Sequence, residues 1–124
     1  MKTEICKIEP DGRVICAIGG GKVVAQWSGS PPEIGKTYDV ELSVSAPMVP
    51  GDNLIAASGN PPGLHTEGDH IMMTAWLESC DDDGAAVLRL GESLVQIEVQ
   101  GSPAPVGSLV TARLADLTLY DTNI

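Results

Sequence analysis

Residues 29–35 read GSPPEIG and residues 101–107 read GSPAPVG, so a chain of 124 residues writes one Gly-Ser-Pro phrase twice, 72 positions apart. Displacing the chain on itself by that distance lays IEPDGRVICAIGGGKVVAQWSGSPPEIGKTYDVEL over CDDDGAAVLRLGESLVQIEVQGSPAPVGSLVTARL without a gap. Asp11-Gly12 meets Asp83-Gly84, Gly19 meets Gly91, Val23 meets Val95, Gly29-Ser30-Pro31 meets Gly101-Ser102-Pro103, Gly35 meets Gly107 and Leu42 meets Leu114. Turn residues dominate these matches. Glycine supplies positive φ and proline fixes φ, so a repeated backbone holds its bends while its strand positions need only alternate.

Composition agrees with a strand-rich duplication. Apolar residues make up 43% of the chain, aromatic ones 3%, and Phe is absent, so the interior is built from Val, Leu, Ile, Ala and Met. Fourteen glycines and nine prolines are spread as punctuation, which disfavours helices and favours short strands joined by many turns. The first copy offers strands near 3–9, 13–18, 22–28 and 36–45; the second offers them near 71–80, 85–90, 93–100 and 108–120. Val95, Ile97 and Val99 alternate with Gln96, Glu98 and Gln100, the pattern of a strand with one buried and one wet face. In the last strand the alternation changes phase between Leu114 and Leu117, and a bulge near Ala115-Asp116 is expected to re-aim the side chains. Residues 56–69 lack periodicity and carry a Pro-Pro-Gly turn signal, which makes them the linker between modules at 1–55 and 70–124. The copies end alike, with DNL at 52–54 and TNI at 122–124, once a slip of two residues is allowed. Modules this short bury too little surface to be stable alone.

The succession of strand, acidic-Gly turn, strand, Gly turn and strand, followed by a Pro-x-x-Gly step into a strand ending in LADLTLYD, resembles the TOBE module. This small OB-type β-barrel occurs in transporter ATPases and, in tandem, in molbindin-like proteins. The resemblance covers nearly the whole chain. It implies two pseudo-repeated OB- or SH3-like barrels packed together, and a module that binds a small oxyanion. The Ser-Ala-Arg-Asn segment that contributes to the oxyanion site of those proteins has no counterpart here, so molybdate binding does not carry over.

Seventeen acidic residues against seven basic ones give a net charge of −10, a field that repels phosphate backbones and favours encounter with basic partners. Nucleic acid is not an expected ligand, although such a charge also serves solubility alone. No apolar run approaches the length of a membrane span, and the opening MKTEICKIEP lacks the apolar centre of a secretion signal, so a cytoplasmic chain is expected. Cys6, Cys16 and Cys80 leave one thiol over in any disulfide scheme, which suits a reducing compartment. If Pro10-Asp11-Gly12 is a three-residue hairpin loop, counting outward sets Cys6 opposite Cys16. A disulfide there is geometrically conceivable, and free thiols are the expectation.

Other motifs read as structure. His65, Glu67, Asp69 and His70 hold donors a zinc ion could accept, but the nearest cysteine is Cys80 and the segment reads as a polar loop. CDDDG at 80–84 lacks the alternating ligands of a calcium loop and reads as a hairpin turn with Gly84 left-handed. IGGGK at 18–22 leads into Val23-Val24 of a strand, whereas a phosphate loop would open a helix. No nucleophile elbow or Cys-His pair is present, so no enzyme, cofactor or metal is expected. Trp27, in phase with Val23 and Ala25, is expected in the core. Trp76 falls on the face opposite Met73, Ala75 and Leu77. Met72 and Trp76, with Asp81, Asp82 and Asp83, form the candidate contact patch, unless that face packs on the other module. The expected function is that of a non-enzymatic acidic protein that binds a basic partner, for instance an immunity or inhibitor protein for a nuclease toxin. The alternatives are an oxyanion-binding module and a subunit of a larger assembly.

Overall fold

A computed structural model describes residues 1–122, and its described residues contain eleven strands and no helix. The first half supplies β1 (Lys2–Ile8), β2 (Val14–Ile18), β3 (Gly21–Ser28), β4 (Thr37–Ser43) and β5 (Leu54–Ala56). The second supplies β6 (Gly63–Glu67), β7 (His70–Cys80), β8 (Ala85–Leu90), β9 (Ser93–Glu98), β10 (Leu109–Leu114) and β11 (Thr118–Asp121). Among the described residues no helix is long and apolar enough to cross a membrane.

Five strands close into a barrel in the order β1-β2-β3-β11-β4, with β1 returning to β4. Only the β3–β11 pair is parallel, an arrangement consistent with an OB-type barrel. The other strands form a sheet ordered β5-β10-β7-β8-β9, and β6 pairs with the first half of β7. One aliphatic core runs through both, from Ile5, Val14, Val23 and Leu119 to Met73, Leu77, Leu88 and Val95. The alternation in β9 holds: Val95, Ile97 and Val99 are buried while Leu94, Gln96 and Glu98 are exposed.

The bends separated by 72 positions share their backbone geometry. Gly12 and Gly84 have φ of 91° and 93°, Gly19 and Gly91 of 58° and 61°, Gly35 and Gly107 of 86° and 92°. Their hydrogen bonds match as well. Gly12 N–H donates to the Glu9 carbonyl at 2.9 Å and Gly84 N–H to the Asp81 carbonyl at 3.0 Å. Gly35 N–H donates to the Ile5 carbonyl at 2.7 Å and Gly107 N–H to the Leu77 carbonyl at 2.8 Å.

Several expectations need correction. The last strand does not bulge and continue. It ends at Leu114, and after Ala115-Asp116 the chain leaves the sheet to enter the barrel as β11, between β3 and β4. The fifth place in the barrel is therefore filled from the far end of the chain. Met48, in the first half, does the reverse: it bridges Val99, and β5 pairs with β10. The proposed echo at 122–124 lies largely outside the described residues.

The segment expected to be only a linker contains β6. Leu64 N–H donates to the Gly19 carbonyl at 3.1 Å, and the Thr66 hydroxyl to the Lys22 carbonyl at 2.9 Å, which seats β6 across the start of β3. The glycines of IGGGK make that seat possible. A side chain at Gly21 would collide with the Leu64 carbonyl.

Cys6 does not face Cys16. A bulge between Ile5 and Lys7 takes Cys6 out of register, so Ile5 stands opposite Cys16. All three cysteines are free, and Cys16 is fully buried. Burial pushes its thiol above the ordinary range, a bond with Thr3 partly offsets this, and the nearby Cys6 adds to it. Trp27 is only half-buried. Its indole stands edge-on to Tyr38 with ring centroids 5.1 Å apart, and its Nε1–H donates to the Ser30 carbonyl at 2.8 Å.

Candidate functional site

The second sheet presents its outer face as rows of cross-strand neighbours, because residues directly opposite in antiparallel strands share a face. Leu109 lies opposite Trp76, Trp76 opposite Arg89, and Arg89 opposite Leu94. This row crosses four strands. Trp76 is 36% exposed and Leu94 61% exposed, and the Arg89 guanidinium is engaged by Glu78 at 3.0 Å. Met72 lies in a different setting, half-buried between His65 and Arg113.

Asp81, Asp82 and Asp83 occupy the β7–β8 turn, all exposed. Asp83 Oδ1 accepts from Ala85 N–H at 3.1 Å, and Gly84 returns its carbonyl to Val99 N–H at 2.8 Å, so the turn is tied down onto the end of β9. Gly84 permits this close approach, since a Cβ there would strike the Val99 carbonyl. The three carboxylates rim a cleft of about 620 Å³ floored by Val99 and walled by Gln100, Ser102 and Ala104. No ion pair among the described residues neutralises them. The structure thus gathers Asp81, Asp82 and Asp83 into one cleft, and Trp76 and Met72 line no part of it.

Residues not singled out from the sequence line a trough between the sheets. Glu41 and Ser43 of β4 face Leu94 and Gln96 of β9, with Tyr120 of β11 beside them, around a volume of about 510 Å³. Towards one end the trough continues past Glu92 and Met1, and towards the other past Asp83 and Glu98. Leu94 and Tyr120 are large apolar groups left in solvent, at 61% and 46% exposure. Leu94 carries a visible signal: it is the one apolar residue in the wet phase of β9.

The edge of β9 that borders this trough runs alongside β4 with few backbone hydrogen bonds among the described residues. Gly91-Glu92 is a two-residue hairpin turn, so Ser93, Val95 and Ile97 direct their backbone groups to β8, and Leu94, Gln96 and Glu98 direct theirs away. The Glu98 carbonyl accepts from Met48 N–H at 2.7 Å, and Gln100 N–H donates to the Met48 carbonyl at 2.8 Å, which confirms the parity. Leu94 and Gln96 have no such backbone partner among the described residues.

Among the described residues no group of three or more His, Cys, Asp or Glu side chains is placed to hold a metal ion; His65 and Glu67 approach only each other, at 3.5 Å. Neither the acidic cleft nor the trough is lined by Lys or Arg. Compared with models of known protein families, with curated proteins and with solved structures, the chain matches none.

Proposed function

We propose that the chain is one β unit written twice, and that it serves as a non-enzymatic binding protein whose partner is a protein with a basic surface. The matched φ values at glycines 72 positions apart support the duplication. The observation that carries the functional reading is Trp76, exposed in a row with Leu109 and Leu94 on a sheet that ends in Asp81, Asp82 and Asp83, whose carboxylates no ion pair neutralises among the described residues. An exposed aromatic anchor supplies affinity, and a net charge of −10 supplies steering. One concrete form is an immunity or inhibitor protein that blocks a cationic toxin such as a nuclease, its carboxylates standing where phosphates would. Three free thiols support the cytoplasm as its compartment. Oxyanion binding, the function implied by the TOBE resemblance, has less support, because no Lys or Arg lines these clefts.

The test is binding to a panel of purified cationic proteins at low and high salt. Trp76→Ala is expected to weaken capture by about 2 kcal/mol. The Asp81→Asn, Asp82→Asn, Asp83→Asn triple variant is expected to slow association and flatten its salt dependence. Unchanged binding by both variants removes the assigned patch.

A further inference from the structure

We infer that the outer face of the seam between β4 and β9 is a docking site for a basic amphipathic helix of a partner protein, which lies lengthwise in the trough and is held by side chains alone. This rests on the basic-partner reading and specifies where the partner is held and in what conformation.

The backbone sets the mode of contact. β4 and β9 run side by side, and Met48 bridges the Glu98 end of β9, so no further strand can enter between them. What a partner can reach is the face that the outward side chains of both strands make together. An extended segment laid along that face would leave its own N–H and C=O groups unpaired against the walls of the trough. A helix satisfies these groups internally and offers only side chains.

The side chains set the chemistry. The outer face of β9 reads Leu94, Gln96 and Glu98, with Glu92 in the turn before it, so an apolar stretch has a carboxylate at either end. Half-buried Val87 lies opposite Gln96, Tyr120 lies opposite Glu41, and together with Leu94 they line one volume. Leu94 and Tyr120 are the large apolar groups left exposed there. Glu41, Glu92 and Glu98 are exposed as well, and among the described residues none of the three is in an ion pair.

Charge and length then select the occupant. The cations nearest the trough are committed: the Met1 ammonium to the Val40 carbonyl at 3.0 Å, Lys2 to Asp39 at 3.2 Å and Arg89 to Glu78 at 3.0 Å. The carboxylates of Glu41, Glu92 and Glu98 are therefore left for a partner's Lys or Arg. From Glu92 to Glu98 the strand runs roughly 20 Å, which about 13 residues of helix span. A helix with apolar residues at i, i+3, i+4 and i+7 over Leu94, Val87 and Tyr120, and with basic residues on its flanks and at both ends, complements the whole length. An acidic helix is repelled, and so is a second copy of this chain at a net charge of −10.

The experiment titrates the full chain at low salt with a synthetic Leu-Lys peptide of about 13 residues, patterned as an amphipathic helix and used where the peptide alone is unstructured. Amide chemical shifts and circular dichroism are followed together. The described residues hold no helix, so helical signal gained on mixing belongs to the peptide. Controls are the same composition in an order without an apolar stripe, and the same order with Glu for Lys. Saturable shifts centred on Ser43, Leu94 and Gln96, with a gain of helical signal, are expected from the patterned Leu-Lys peptide only. A Glu41→Lys, Leu94→Lys double variant, altered only at exposed positions, is expected to bind it about tenfold more weakly at an unchanged melting temperature. Equal binding by that variant or by the unpatterned peptide, or binding without helical signal, would overturn the proposal. Shifts centred on Trp76 or on the turn at Asp81, Asp82 and Asp83 would overturn the trough and leave the basic-partner reading standing, as would silence towards the peptide alongside capture of a cationic protein. Silence towards both would overturn the two together.

Discussion

Where the barrel carries Trp27, the second sheet carries Val99, and where the barrel carries Tyr38 the sheet carries Val110. Trp27 and Tyr38 meet edge to face across their end of the barrel. Two valines cannot reach as far, and beside Val99 the cleft with its acidic rim stays open. The same contrast recurs one strand-length away. β6 lies across β3 at Gly21, while β9 has Ser93 at that place and runs alongside β4 instead. On the duplication proposed above, the glycine bends set the same course of chain in both halves. The bulk of a few side chains then decides which half is sealed and which is left available to a partner.

The comparison breaks most completely if either half stands alone. β11 and the residue before it bring Leu119 and Leu117, both fully buried, into the barrel from the far end of the chain, and the segment from Met48 to β5 serves the opposite sheet. Each half thus borrows its last strand from the other. A chain ending at Leu114 is expected to lose its cooperative melt, because burying each such leucine is worth about 2–5 kcal/mol and the barrel can no longer close. Residues 70–124 expressed alone are expected to be unfolded by circular dichroism. A cooperative transition from that fragment would show that the halves are autonomous and that the exchange is incidental.

A narrower probe contrasts the two corresponding positions, Gly21 and Ser93. Gly21→Ser places a side chain against the Leu64 carbonyl and is expected to cost about 2–3 kcal/mol through overpacking, with faster amide exchange along β6. Ser93→Gly, the reciprocal change on β9, meets no such neighbour and is expected to cost about 0.5–1 kcal/mol, the ordinary penalty of a strand glycine. Equal losses in chemical denaturation would mean that β6 is not seated on Gly21 in solution.

These differences mark the border of what was legible. The turns were readable because their positive φ strongly favours glycine, and the alternation in β9 named its buried face correctly. Neither signal says which sheet a strand joins. The phase change after Leu114 was a true discontinuity, yet period-two patterning cannot separate a bulge from a departure into another barrel. β6 was hidden because it buries a single large side chain, Leu64, and its remaining partners are backbone carbonyls with no sequence signature. The bulge at Cys6 was invisible for the same reason, and it shifts the register by which Cys16 was matched. Of the candidate patch, Asp81, Asp82 and Asp83 were found as a turn, and Trp76 as an exposed aromatic. The acidic Glu41 and Glu92, which flank Leu94, came together only through the packing of β4 against β9.

The finest contrast lies in the two hairpin turns, whose backbones agree at Gly12 and Gly84 but whose following residues are Arg13 and Ala85. Asp11 accepts from Arg13 N–H at 3.0 Å and from its Nε at 2.7 Å; among the described residues Asp83 accepts only from Ala85 N–H, at 3.1 Å. The Arg13 backbone bond first, and then its guanidinium, hold the Asp11 carboxyl below the usual carboxylate range. A depressed folded value means that the unfolded chain takes up the proton first. The bond therefore contributes stability above the ordinary aspartate range, and that contribution disappears as pH falls through it towards the lowered value. The group is fully exposed, so the effect is small and weakens with salt. Asp11→Asn is expected to melt slightly below the unaltered chain at neutral pH, and the two melting curves are expected to converge as the solution becomes acidic. Ala85→Arg is expected to lend the second turn the same slight, salt-sensitive gain, since its guanidinium can reach Asp83 as Arg13 reaches Asp11. Curves for Asp11→Asn that stay parallel to the unaltered chain down to acid pH would show that the turns differ in sequence alone.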